Sequence, residues 1–216
     1  MLDFLRHHWY DLGVVSAVVT AYYFHNNRRT LNTTQKWLIA SFLAVLVHQF
    51  EEYRFPGGFP AAMNIGVQAS VRPERYPLNA HSAMITNLFA TYGLYLPPIF
   101  FPEAPWFSLG PIILGFGQIV IHGININAKM HSFYNPGVGS VILLHVPIGI
   151  AYIRHVRSIG RLPVSQCVLG TVYGIAIIFF LLGKYTFTWA PDINSPFPFT
   201  AAEMTRGGVA AYLARL

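Results

Sequence analysis

Apolar residues in this chain come in long runs rather than short stripes. A helix needs about 20 mostly apolar residues to cross a bilayer. Six stretches meet that need, roughly 9–25, 36–53, 79–101, 106–127, 137–156 and 164–189. Most connections between them are short, as helical hairpins require. The exception is a polar, Pro/Gly-rich segment over 54–78. It opens with Arg54-Phe55-Pro56-Gly57-Gly58-Phe59-Pro60. Proline has no N–H to donate and clashes with the preceding turn, so the second helix must end there. Pro97, Pro98 and Pro147 should kink or end the helices that hold them. The stretch 200–216 is too short and mixed to cross, and is expected on the membrane surface. The pattern predicts one all-α domain over 1–216, a polytopic transmembrane helical bundle of about six spans.

Composition agrees. Only 10% of residues are charged, against about 25% in soluble domains. The 15% aromatic content argues against a disordered chain. A net charge of +6 raises the question of nucleic acid. The basic residues lie scattered between apolar runs, however, where they suit lipid headgroups. No nucleic-acid motif is present, and no nucleic-acid partner is expected. Cys167 is the single cysteine, which excludes an internal disulfide, a CxxC pair and a thiolate-rich metal site. Asp3, His7 and His8 precede the first run, where a secretory signal would prefer a basic start and a small-residue cleavage site, so this run is expected to be a retained span. Arg28, Arg29 and Lys36 follow span one, and Arg154, Arg157 and Arg161 follow span five. The positive-inside rule would place these two connections in the cytoplasm, with the termini and 54–78 opposite. The expected localisation is integral, multi-pass membrane.

Six helices also sort the nine histidines. His7, His8, His48, His81, His122, His131 and His145 fall toward the face that holds the termini; only His25 and His155 fall on the other. Ionisable groups inside a bilayer are costly, and they face a bundle interior or a cavity where they mark function.

The sharpest local pattern is His48-Gln49-Phe50-Glu51-Glu52. Positions i, i+3 and i+4 share a helix face, so one imidazole and one or two carboxylates converge from a single turn. Adjacent carboxylates point about 100° apart, and Glu52 is the expected inward one. Gln118, His122 and Asn125 follow an i, i+4, i+7 spacing on span four. The expected metal ligands are His48, Glu51, Glu52, His122 and His145, with His48, Glu51 and Glu52 also the catalytic candidates. Asn87, Gln118 and Asn125 would support them by orienting the rings. Imidazole with carboxylate suits zinc, iron or manganese, and the expected cofactor is a divalent ion, zinc or iron.

The motif is followed by Phe55-Pro56-Gly57-Gly58-Phe59, by Asn87 in the next span, by His122 near a later helix end and by Tyr134-Asn135-Pro136-Gly137. This ordered set resembles the HXXEE-domain family of integral membrane proteins, over roughly 36–155. The resemblance implies a membrane protein with a metal-site-like motif, and no particular reaction.

Three functional readings follow from the residues. The first is a membrane-embedded metal-dependent enzyme acting on a lipophilic substrate near one membrane face, hydrolytic with zinc or oxidative with iron. Its partners would be that small molecule and membrane lipids. The second keeps His48 and Glu52 as a metal-free acid/base pair in an isomerase or cyclase of an isoprenoid- or sterol-like substrate. The third is a proton- or metal-coupled transporter. Internal repeats, which that fold class favours, are not evident.

Overall fold

The computed structural model describes residues 1–216. It is all-helical. Helices α1 (Leu2–Asn27) and α2 (Thr33–Tyr53) pack as a hairpin. Their turn ends on Asn32, whose side chain accepts the Gln35 N–H while the Gln35 side chain accepts the Asn32 N–H. This reciprocal cap fixes the start of α2 three residues before the predicted 36. Helix α2 stops at Tyr53, ahead of Pro56, as the proline requires. Gly57 and Gly58, both with positive φ, turn the chain into a short helix α3, residues 59–67.

Helix α4, residues 80–95, starts on an Asn79 cap and ends short of the predicted 101. Pro97 and Pro98 are the reason: they cannot donate to the helical ladder, and the chain passes into a single tight turn at Pro97–Phe100. Three helices are long and apolar enough to cross a membrane: α5 (Pro105–Met130), α6 (Val138–Ser158) and α7 (Val164–Trp189). Two short helices follow, α8 (Ala201–Thr205) and α9 (Val209–Leu213).

Helix α5 lies along α7, where Gly170 and Gly174 let Leu109 and Ile113 approach the α7 backbone. One apolar core joins α2, α5, α6 and α7 through residues such as Phe42, Ile112, Tyr152 and Ile177. A second gathers Trp9, Tyr53, Phe59, Ile126 and Val209, from the start of α1, the end of α2, α3, the end of α5 and α9. Both termini and the 54–78 segment therefore meet at one end of the bundle.

Residues 200–216 are not simply laid on that end. Glu203 is buried, meeting His7 Nδ1 at 2.9 Å and accepting from the Tyr10 hydroxyl at 3.3 Å. Arg206 donates to the Tyr10 hydroxyl oxygen and to the Tyr53 carbonyl. A buried carboxylate needs such partners, and they tie the chain's end to α1 and α2. On the outside, Val168, Val172, Ile175, Phe179 and Phe180 of α7 and Val15, Val18 and Val19 of α1 are exposed.

Candidate metal centre

His48 and Glu52 stand one turn apart on the buried face of α2. His122 faces them from α5. Glu52 Oε1 lies 3.3 Å from His122 Nε2 and 3.7 Å from His48 Nε2. All three residues are buried, and their ligand atoms fall within 4.8 Å of one another. The imidazole rings are nearly perpendicular, with centroids 5.0 Å apart. In a tetrahedral zinc site with bonds of about 2.0–2.1 Å, neighbouring donor atoms sit about 3.3 Å apart. The observed separations fit one ion.

Glu51 points elsewhere. Its carboxylate accepts the backbone N–H of Gly139 at 3.0 Å and of Ser140 at 2.7 Å, and the Tyr134 hydroxyl at 3.1 Å. Those N–H groups are the free donors at the first turn of α6, where a negative charge is favoured. Burial, with the Glu51 carboxylate beside it, holds the Tyr134 hydroxyl above its usual pKa, so it remains a donor. Glu51, expected as a ligand, is a clamp on α6 instead. The cause is the 100° offset between neighbouring helix positions: Glu52 turns into the bundle and Glu51 toward α6.

Residues 37–152 match the family described as "protein of unknown function with HXXEE motif". The chain belongs to the HXXEE family. No curated protein and no solved structure matches it. In this HXXEE protein the motif's positions divide in two. The histidine and the last glutamate meet His122, and the first glutamate holds the neighbouring helix.

The rings' outer nitrogens are fixed by Asn135 and Ser140, neither of them among the expected site residues. Asn127 Nδ2 donates to the Phe133 carbonyl, so its Oδ1 is an acceptor. Asn135 Nδ2 donates to that Oδ1 at 2.7 Å and to the His122 carbonyl at 2.8 Å. Asn135 Oδ1 is thereby left to accept from His122 Nδ1 at 2.7 Å. On the other ring, Ser140 Oγ donates to the Gly137 carbonyl at 3.0 Å. His48 Nδ1 must then be the donor to Ser140 Oγ, at 2.9 Å, and to Gly137 O, at 3.2 Å. Each ring, when neutral, carries its proton on Nδ1. In that form both Nε2 lone pairs face the Glu52 carboxylate, an arrangement that repels itself unless a proton or a metal ion sits among the three. Hydrogen bonds at the far nitrogen are how metal-ligating histidines are usually oriented.

The remaining predicted residues are spread more widely. His145 is buried and packs edge-on against His48, with centroids 5.3 Å apart, but lies outside the three-residue group. Asn87 donates to the Ala83 carbonyl and, at 3.4 Å, to the Tyr53 hydroxyl. With Gln118 it lines a cavity beside the trio. Asn125, predicted on the His122 face, is exposed. The i, i+4, i+7 spacing assumes a regular α-helix, and residues Ile119–Ile126 instead form wide i→i+5 turns. The longer repeat carries His122 and Ile126 inward and rotates Asn125 away. His81 packs on Phe197, His155 meets Thr34, and His25 meets Arg28, all away from the trio.

Proposed function

We propose that this chain is a membrane-embedded enzyme whose reaction centre is a divalent metal ion held by His48, Glu52 and His122, acting on a lipophilic substrate. The observation that carries the reading is the convergence of two imidazole Nε2 atoms with one buried carboxylate. Zinc at such a set would supply Lewis-acid and hydrolytic chemistry, and iron oxidative chemistry. The protein's own part is positional. Asn135 and Ser140 fix the two rings, Glu51 fixes the helix that carries Ser140, and the apolar walls keep water scarce around the centre. In this reading the chain crosses the membrane about six times, over the stretches predicted from sequence, as one domain. The outward apolar side chains of α1 and α7 would meet lipid. The alternative is a metal-free isomerase or cyclase in which His48 and Glu52 are the acid/base pair, with a proton taking the place of the ion.

Elemental analysis separates the two. Gently purified protein should contain about one zinc or iron per chain. His48→Ala, Glu52→Ala and His122→Ala should each lose it, whereas His25→Ala should not. Glu51→Ala should keep the ion yet lose about 1–2 kcal/mol of stability, because two helix-start N–H groups lose their acceptor. Full occupancy in all three ligand variants would overturn the assignment. Metal-free wild-type protein, purified without chelators, would favour the acid/base reading.

A further inference from the structure

The cavity beside the trio has His48 and Glu52 in its wall and mostly apolar residues elsewhere, among them Ile121, Leu181, Leu182 and Phe187. Glu52 is its one charged lining residue; neither lysine nor arginine reaches it. Three polar lining groups make no hydrogen bond to the protein: the His145 ring, the Gln118 amide and the Tyr95 hydroxyl. His145 is only 5% exposed, and its Nε2 is buried without a partner. Gly115 lies against the other side of that ring, where an added Cβ would come within 2.9 Å of Nδ1. The half-buried Gln118 amide also lines the cavity. Burying an unpaired imidazole lowers stability, and an apolar side chain of similar shape would avoid that cost. The neighbouring polar residues, Gln49 and Thr86, are by contrast satisfied, by Thr91 and Thr186 respectively.

A neutral imidazole offers one donor and one acceptor, and an amide offers both. Together they match an alcohol or carbonyl oxygen. Neither group carries the positive charge with which lysine or arginine receives a phosphate, and no lysine or arginine lines the cavity. We infer that His145 and Gln118 anchor the oxygen of a neutral lipophilic substrate, an alcohol, ketone or ester. Its apolar body lies along Leu181, Leu182 and Phe187. The inference deepens, and rests on, the reading of the trio as a reaction centre. His145 is here a binding residue beside the ion, not a ligand of it.

The test uses the full chain in lipid nanodiscs, with a long-chain alcohol carrying a diazirine on its chain. Light should attach it to residues 181–187, and excess dodecanol should block the labelling. Dodecane, which has no oxygen to anchor, should need at least about tenfold more, the loss of roughly one good interaction. His145→Leu should weaken the dodecanol competition about tenfold, keep the metal content, and raise Tm by about 2–4 °C. A histidine kept only for packing would lower Tm on the same change. Gln118→Leu should weaken competition in the same direction. Equal competition by dodecane, or competition unchanged in both variants, would overturn the inference. Loss of metal in His145→Leu would make His145 a ligand and overturn it as well. Alcohol-selective labelling lost in His145→Leu, from wild-type protein without metal, would uphold the anchor and overturn the metal reading instead.

Discussion

Gly137→Ala is expected to lower stability by about 3 kcal/mol and to empty the metal centre. Gly137 has φ of +110°, a region costly to any side chain, and precedes the first residue of α6. Its missing Cβ is also what lets two imidazoles approach. A Cβ would lie 2.8 Å from His122 Nδ1 and 3.0 Å from His48 Cε1. The backbone contributes about 1–2 kcal/mol and the overpacking about 1–3. Neither ring can retreat, since each is held by its outer nitrogen. Thermal unfolding should show Tm falling by about 6–12 °C, and elemental analysis should show the ion gone. Gly139→Ala provides the comparison: its Cβ would meet the Glu51 carboxylate and neither ring. That variant should lose stability while keeping the metal. Retention of the metal in Gly137→Ala would mean the rings are not where the ion binds.

Asn135→Ala should weaken metal affinity about 10–100-fold, the usual cost of removing a group that orients a ligand. Asn135 is fully buried, and its amide joins the His122 ring, the His122 carbonyl and Asn127. Truncation leaves the Nδ1–H and a carbonyl without this partner, a loss of about 2–6 kcal/mol at 1–3 per buried group. Without its acceptor the ring is free to turn or change tautomer. Asn135→Asp separates the two effects. An aspartate still accepts from Nδ1, so the ion should be retained. It cannot donate to the His122 carbonyl or to Asn127 Oδ1, so stability should fall about as far as in the alanine variant. Metal affinity measured by competition with a chromophoric chelator, beside thermal unfolding, distinguishes these outcomes.

Much of this site was legible from spacing. His48 and Glu52 share a helix face at i, i+4, and the proline after Tyr53 put that turn at a helix end. The assignment of His122 followed from its place at the end of a later run, which topology brings to the same level. Glu51 and Asn125 came out differently for reasons of helix geometry. One lies 100° from its neighbour, and the other sits beyond a wide turn that an α-helical repeat does not anticipate. The orienting groups were the least visible. Asn135, Gly137 and Ser140 sit in Asn-Pro-Gly and the first turn of α6, where turn formation alone explains their types. Their contacts to His48 and His122 depend on residues 13 to 92 positions away in sequence. A buried histidine with no nearby acceptor in its own helix was the available hint that another segment must supply one. For the fold, apolar run length fixed helix existence well, whereas boundaries moved with local chemistry: the Asn32 cap, Pro97 and the buried Glu203.

The proposed coordination shell can be tested directly. X-ray absorption fine structure on the metal-replete protein should show two imidazole nitrogens and one carboxylate oxygen, at about 2.0–2.2 Å. The imidazole scattering should fall by half in His48→Ala reconstituted with excess ion. A shell of oxygens alone, or one containing sulfur from Cys167, would contradict a centre built on His48, Glu52 and His122.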